Sequence, residues 1–167
     1  MLSFFMTSFI CICRDEELME MTGRYIINAP KDKVWTAMND PQVLKQAIPR
    51  CDEAIRHTDT EFTAVFSFKL GFINPRLESL ISLSDINAPN SYIMTAEGKG
   101  KLAGLAKGRA DVTLHAQENN KTLLEFHASG DMQGTIAEMA SKLVTKTAQK
   151  LADDFFARFD EVISKET

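Results

Sequence analysis

The chain is poor in cysteine, and the three residues it has, Cys11, Cys13 and Cys51, are too few and of the wrong parity for a disulfide framework. Cys11 and Cys13 are one residue apart with no second pair, so the spacing of a structural zinc site is missing as well. A reduced, cytoplasmic chain is the simplest reading. Basic charge is also scarce: 19 Lys and Arg stand against 23 Asp and Glu, a formal net charge of −4. The first twenty residues hold Arg14 against Asp15, Glu16, Glu17 and Glu20, a net of −3, which leaves −1 for the rest. A near-neutral body without a basic face argues against nucleic acid as a partner. No apolar run reaches the roughly 20 residues that span a bilayer. There is no G-x-S-x-G nucleophile motif, no Cys-His pairing that sequence supports, and no repeat, linker or low-complexity segment. At 167 residues the chain is long enough for one domain with a real core. The expected division is an N-terminal extension over 1–20 and a single domain over 21–167.

The extension is unusual. Met1–Cys13 is almost wholly apolar, then Arg14-Asp15-Glu16-Glu17 follows. No Lys or Arg precedes the run and no small-residue cleavage site follows it, so it is a poor secretory signal. Three readings fit: a start placed too early, with Met19 or Met21 the true one; a helix that docks on a partner or membrane surface; or a signal-like element. The folded pattern begins at Thr22, which favours the first.

The end of the chain carries its strongest signal. After Gly134 there is no further Gly or Pro, and apolar residues recur at Ile136, Met139/Ala140, Leu143/Val144, Ala148, Leu151, Phe155/Phe156, Phe159 and Val162/Ile163. Thr135 and Glu138 make the T-x-x-E capping pattern. The spacing predicts one amphipathic helix over Gly134–Lys165. Almost everything from Tyr25 to Asp131 reads as strand instead. A long helix after a run of strands has to bury its apolar stripe on their sheet.

The strands are predicted at Gly23–Asn28, Phe62–Leu70, Arg76–Ser84, Ser91–Glu97, Lys107–Gln117 and Thr122–Asp131. Between the first two, Pro30 opens a helix over Lys31–Met38. Asp40 caps a second, which starts at Pro41 and runs to about Ala47. Phe62, Ala64, Phe66, Phe68 and Leu70 alternate with Thr63, Val65, Ser67 and Lys69, which gives a half-buried strand with an aromatic inner face. Leu77, Ile81 and Leu83 share a face of the next strand, as do Tyr92, Met94 and Ala96 of the one after.

In the last hairpin, a loop at Asn119-Asn120-Lys121 would set Leu114 opposite Phe126, Val112 opposite Ala128 and Ala110 opposite Gly130. The other face would then pair His115 with Glu125, Thr113 with His127 and Arg109 with Asp131. A slip of one residue would mix apolar with charged positions. The sheet is therefore expected to be covered on one side only.

Candidate sites follow from this layout. His115, His127, Glu125 and Asp111 share the outer face of the hairpin. Opposite-charge cross-strand pairing accounts for them without a metal. Gly98–Gly108 is glycine-rich and basic but lacks the G-K-[S/T] of a phosphate loop. It reads as a hairpin or bulged connection, and also as a flap at a cavity mouth. Glu138, Lys142, Lys146 and Lys150 lie four apart on the solvent side of the long helix. Cys51 reads as an unreactive thiol beside Pro49-Arg50. The set Phe62, Phe66, Phe68, Met94, Phe126, Met139 and Leu143 is the expected lining of an apolar cavity between sheet and helix. The only inward polar positions beside it are Tyr92 and Ser79, too little for acid-base catalysis. No catalytic residue, metal or cofactor is expected.

This order of elements resembles the helix-grip fold of the START/Bet v 1-like (SRPBCC) superfamily, an α+β fold. Its curved antiparallel sheet of about seven strands surrounds a long C-terminal helix, with two short helices after the first strand. The residues are closest to one branch, the CoxG family of carbon monoxide dehydrogenase. The pieces that match are Ala29-Pro30, Val34-Trp35, Asn39-Asp40-Pro41, Leu44, Ile48-Pro49, Gly71-Phe72-Ile73, Gly98–Gly108 with Ala110 and Val112-Thr113-Leu114, and Gly134 with Ala137, Leu143 and Phe155-Phe156. They run over Met21–Phe159. The chain departs from the pattern at Arg50, where glycine is usual, and it ends at Thr167, short of the apolar tail of longer members. The resemblance implies a non-catalytic accessory factor with a cavity for a lipid- or quinone-like molecule. It also implies a place beside a molybdenum hydroxylase and peripheral membrane contact at the inner face. A polyketide cyclase or hydrolase-like enzyme is the alternative use of the same cavity.

Overall fold

A computed structural model of the protein describes residues 19–101, 104–132 and 141–165. The elements are β1 (Met19–Ile27), α1 (Lys31–Met38), α2 (Pro41–Ala47), β2 (Cys51–Arg56), β3 (Glu61–Ser67), β4 (Arg76–Asn87), β5 (Ser91–Gly100), β6 (Gly104–Gln117), β7 (Lys121–Met132) and α3 (Ser141–Lys165). The strands form one seven-stranded sheet in the order β1-β7-β6-β5-β4-β3-β2, every neighbouring pair antiparallel. Strands β2 to β7 are a simple meander. The helices α1 and α2 carry the chain from one edge of the sheet to the other. The sheet curves, and α3 lies on its inner face.

Local chemistry explains the short helices. Pro30 occupies the cap of α1 in extended geometry, where its missing N–H costs nothing. Asp40 caps α2, its Oδ1 accepting the Gln42 N–H at 2.8 Å, and Pro41 follows at the first helical position.

Two expectations need correction. No strand is predicted at Cys51–Arg56, yet this segment forms edge strand β2, paired with β3 from Cys51↔Phe66 to Arg56↔Phe62 across a bulge at Cys51/Glu53. An edge strand with little buried surface has no clean alternation to betray it. The register of the last hairpin is also two residues off. Leu114 pairs with Leu124, Val112 with Phe126 and Ala110 with Ala128; on the other face His115 pairs with Leu123, Thr113 with Glu125, Asp111 with His127 and Arg109 with Ser129. The turn is Glu118–Asn120, one residue earlier than expected, with Asn119 and Asn120 at φ 59° and 55°. Asparagine tolerates that left-handed backbone better than most residues. A two-residue slip keeps every side chain on its own face, so alternation alone could not separate the two registers.

The sheet–helix layer is sealed at one end. Ile27, Val34, Val43, Ala47, Leu114, Leu124, Phe159 and Ile163 are buried together there, where α1, α2 and the last turns of α3 meet the sheet. Full burial of such a side chain is worth roughly 1.5–3 kcal/mol. A second, smaller cluster of Phe68, Leu70 and Leu77 lies at the β3–β4 side, with Leu143, Val144 and Leu151 of α3 packed on it. The expectations about Cys11, Cys13, the first eighteen residues, the Thr135/Glu138 cap, Met139 and the Glu138–Lys142 pair fall outside the described residues.

Candidate functional site

The inner face of the sheet between these clusters is unlike either. Its side chains are small. Antiparallel pairing sets Ala96 against Gly108, Gly108 against Gly130, and Ala110 against Ala128. Even-numbered residues of β6 and β7 point inward, as the buried Val112, Leu114 and Leu124 show. Gly108 and Gly130 therefore lie under α3. Among the described residues, the closest atom to a Cβ placed on Gly108 would be Ser129 O at 3.6 Å, and on Gly130 it would be Lys107 O at 3.3 Å. Both are backbone atoms of the next strand, so no described side chain covers either glycine. Two other inward glycines are covered. A Cβ on Gly98 would meet Leu77 at 2.8 Å, and one on Gly23 would meet Phe126 at 2.4 Å. Among the described residues, the floor is thus open at Gly108 and Gly130 and closed beside them.

Of the residues expected to line a cavity, Phe62 and Phe68 are buried, at 7 % exposure each. Phe66, Met94, Phe126 and Leu143 are half-buried. The structure divides them into two walls. Phe66 and Phe68, ring centroids 6.3 Å apart, stand at the β3–β4 side with Leu143. Met94 and Phe126 stand against the sealed core.

Sequence reasoning missed Tyr25, Phe155 and Phe156 as part of the second wall. Tyr25 stacks on Phe156 at 4.1 Å, and Phe126 lies 5.9 Å from Phe156 in near-parallel orientation. It also missed the small-residue floor. The signal for that was Ala or Gly at every second position of Ala106, Gly108 and Ala110, where a filled core would carry large side chains.

Polar groups enter this wall from Tyr25. Its hydroxyl donates to Asp153 Oδ1 at 2.7 Å, and Gln149 Nε2 donates to the same oxygen at 3.0 Å. Burial, then the bond to Asp153 and its negative charge, push the Tyr25 hydroxyl far above the usual tyrosine range. Tyr92, expected to face inward, is buried edge-on to Trp35 at 5.4 Å, and burial alone raises it. Ser79 is buried too, and Thr122 donates to Ala29 O at 2.7 Å. Both tyrosines are protonated hydrogen-bond donors at neutral pH, and neither is a base. Beyond Tyr25 an open cleft of about 430 Å³ runs between β1 and α3, walled by Ile27, Phe156 and Ala157 and rimmed by Asp153 and Asp160.

Three of the outer-face candidates, His115, Glu125 and Asp111, are engaged in pairs, and His127 is exposed opposite Asp111. Glu125 holds His115 at 2.9 Å and Arg24 at 2.8 Å, and Arg109 meets Asp111 at 3.1 Å. Among the described residues no group of three or more His, Cys, Asp or Glu is placed to hold a metal. Gly98–Gly108 forms the β5–β6 hairpin, closed by the pair Gly100↔Gly104 with Gly104 at φ 61°. On α3, Lys146 is exposed and Lys150 pairs with Asp154 at 2.8 Å. Burial raises the Cys51 thiol, and its Sγ contacts Glu53 O at 3.2 Å. Among the described residues no helix is long and apolar enough to cross a membrane.

Comparison with known proteins agrees with this architecture. A conserved protein from Geobacillus kaustophilus superposes with a TM-score of 0.81 at 20 % identity, over 88 % of this chain and 96 % of that one. A START superfamily protein from Mycobacterium smegmatis gives 0.66 at 10 % identity, over 89 % and 99 %. The ZhuI aromatase/cyclase from Streptomyces sp. R1128 gives 0.66 at 9 %, over 89 % and 95 %. At such identities the likeness is one of fold: the helix-grip fold of the START/Bet v 1-like superfamily. No curated protein sequence matches. The sequence profile of the carbon monoxide dehydrogenase CoxG protein matches residues 23–164, so the chain belongs to the CoxG family.

Proposed function

We propose that this protein is a non-catalytic carrier for an apolar molecule of lipid or quinone type, held between the sheet and α3. The observation that carries the reading is the floor at Gly108 and Gly130, which no described side chain covers, beneath half-buried apolar walls. A helix and sheet that existed only to fold would place large side chains there. The proposed lining is Phe62, Phe66, Phe68, Met94, Phe126 and Leu143, with Met139 beyond the described residues, and Tyr25 and Phe156 added from the structure. A flat or elongated apolar ligand suits such a slot, since aromatic walls and a backbone floor offer contact area with few polar demands.

The family name supports a role beside a carbon monoxide dehydrogenase or related molybdenum hydroxylase, in the cytoplasm and peripheral to the inner membrane face. Residues 21–167 would supply the domain and 1–20 an extension to it. The inward hydroxyls of Tyr25, Tyr92 and Ser79 include no group ionised near neutral pH, which supports carriage over catalysis.

Native mass spectrometry of the purified full chain, followed by titration with ubiquinone, menaquinone and fatty acids, tests the reading. A co-purifying or titrated adduct at one molecule per chain is the expected result. Absence of any adduct, with every probe left unbound, would defeat it.

A further inference from the structure

The most exposed large apolar side chain among the described residues is not near the cleft. Phe72 has 107 % of its reference exposure. It stands at the tip of the hairpin that extends β3 and β4. This tip is a built structure. The β3–β4 register continues through Phe68 N–H to Pro75 O at 3.1 Å, then Leu70 N–H to Ile73 O at 2.9 Å and Ile73 N–H to Leu70 O at 3.1 Å. Gly71, at φ 60°, makes the tight reversal possible. Leu70 and Pro75 are fully buried and anchor its base. Arg50, left-handed at φ 53°, donates from Nη1 to Asn74 Oδ1 at 3.3 Å and braces the hairpin from the α2–β2 corner. Phe72 is thus pushed into water by a fixed scaffold, when turning inward would bury it.

Cations outnumber acids behind the tip. Lys69, Arg50, Lys99 and Lys101 are all exposed, while Asp52 is held by Arg76 at 3.3 Å and Glu78 stands opposite Lys99. Among the described residues Lys69, Lys99 and Lys101 have no ion-pair partner, in a chain of net charge −4. Lys99 pairs with Glu78 near the start of β4, and Lys101 follows in the β5–β6 turn. Phe72 lies three residues past Lys69, a reach of roughly 10 Å at about 3.3 Å per residue. That matches the 5–10 Å depth to which interfacial elements bury their apolar parts in a bilayer. A protein interface would need a wider apolar patch, of the order of 1,000 Å² in all. Among the described residues of the tip, Phe72 is the one large apolar side chain that is exposed.

We propose that the β3–β4 tip is a membrane wedge: Phe72 enters the interface of an anionic bilayer while Lys69, Lys99, Lys101 and Arg50 meet lipid phosphates. Aromatic rings favour that depth, and each cation near an anionic surface adds attraction that salt weakens. The wedge rests on the reading of a protein peripheral to the membrane, and it is independent of the cavity, since neither Gly108 nor the aromatic walls take part in it.

Co-sedimentation of the full chain with phosphatidylcholine vesicles, with and without phosphatidylglycerol, tests it. The wild type is expected to bind the anionic vesicles more tightly. Phe72→Ala should weaken that binding about tenfold. Lys69→Glu with Lys101→Glu should weaken it by at least that much, and added salt should abolish the difference. Leu80→Ala, which removes an apolar side chain exposed on the outer face, should leave binding unchanged. All four positions are exposed, and thermal melts would verify that the variants fold. The proposal is overturned if the wild type ignores anionic vesicles, or if Phe72→Ala binds them as the wild type does. Capture of a purified protein partner through Phe72 without vesicle binding would also overturn it, in favour of a protein interface.

Discussion

At one end of the layer between sheet and helix, Ile27, Val34, Leu124, Phe159 and Ile163 are closed off from water by three converging helices. At the β3–β4 side, Phe66, Ile73 and Leu143 face the same layer yet stay half-buried, beside a floor of Ala and Gly. The same α3 runs over both. Composition is what separates them: large apolar side chains close one end, and no described side chain covers Gly108 and Gly130 on the floor of the other. On the proposed function, stability and binding fall to different stretches of the same strands, so each would change without much cost to the other.

Substitutions should expose that division. Phe159→Ala, in the sealed end, should cost about 3–5 kcal/mol, because a cavity opens where neighbours cannot collapse. Leu143→Ala, at the β3–β4 side, should cost only about 1 kcal/mol, since its side chain is half-buried and loses less area. Urea denaturation of both variants gives the ratio, and equal losses would erase the distinction. Next in size is Gly108→Val. Among the described residues its Cβ would meet nothing nearer than Ser129 O at 3.6 Å, and a β-branched residue suits a strand. Ligand uptake should fall by roughly tenfold, equivalent to 1.4 kcal/mol, with the melting temperature unchanged or higher. If uptake persisted, the floor would not be where ligand lies.

The smallest effect belongs to the polar tie between the two ends. Tyr25→Phe should lower stability by about 1 kcal/mol at neutral pH, by leaving Asp153 and Gln149 without the hydroxyl. Because the folded-state pKa of Tyr25 lies above its unfolded value, its contribution is complete below the ordinary tyrosine pKa of about 10 and fades as pH rises beyond it. Stability measured from pH 8 upward should therefore decline more steeply in the wild type than in the variant, by about a unit's worth of proton linkage at most.

Most of the architecture was legible from the chain itself. Alternation located Phe62–Leu70 and the strands after it, Pro30, Asp40 and Pro41 marked both short helices, and the apolar period gave α3. What escaped has physical reasons. Edge strand β2 buries too little for a pattern to form. The hairpin register depended on which of Gln117 to Lys121 turned, and two-residue slips leave alternation intact. The aromatic residues of the candidate site were readable because large side chains announce themselves. The open floor was not, since Gly108 and Gly130 look like ordinary strand glycines until pairing aligns them under a helix. Tyr25 was missed because its partners Phe156 and Asp153 are more than a hundred residues away in sequence.

The way α3 is fastened has a mechanical consequence. Asp160 accepts from both the backbone N–H and the Nδ2 of Asn28, at 2.7 and 2.9 Å, and Phe159 and Ile163 are fully buried beside it. Among the described residues, the Leu143 end has contacts of half-buried side chains in place of such clamps. On the proposed function, the helix would act as a beam held firmly at its root. A small rotation about the Asn28–Asp160 clamp would widen the gap in proportion to distance from it. Guests of different thickness would then be accommodated by the angle of one beam, with no rearrangement of the root that holds the fold together.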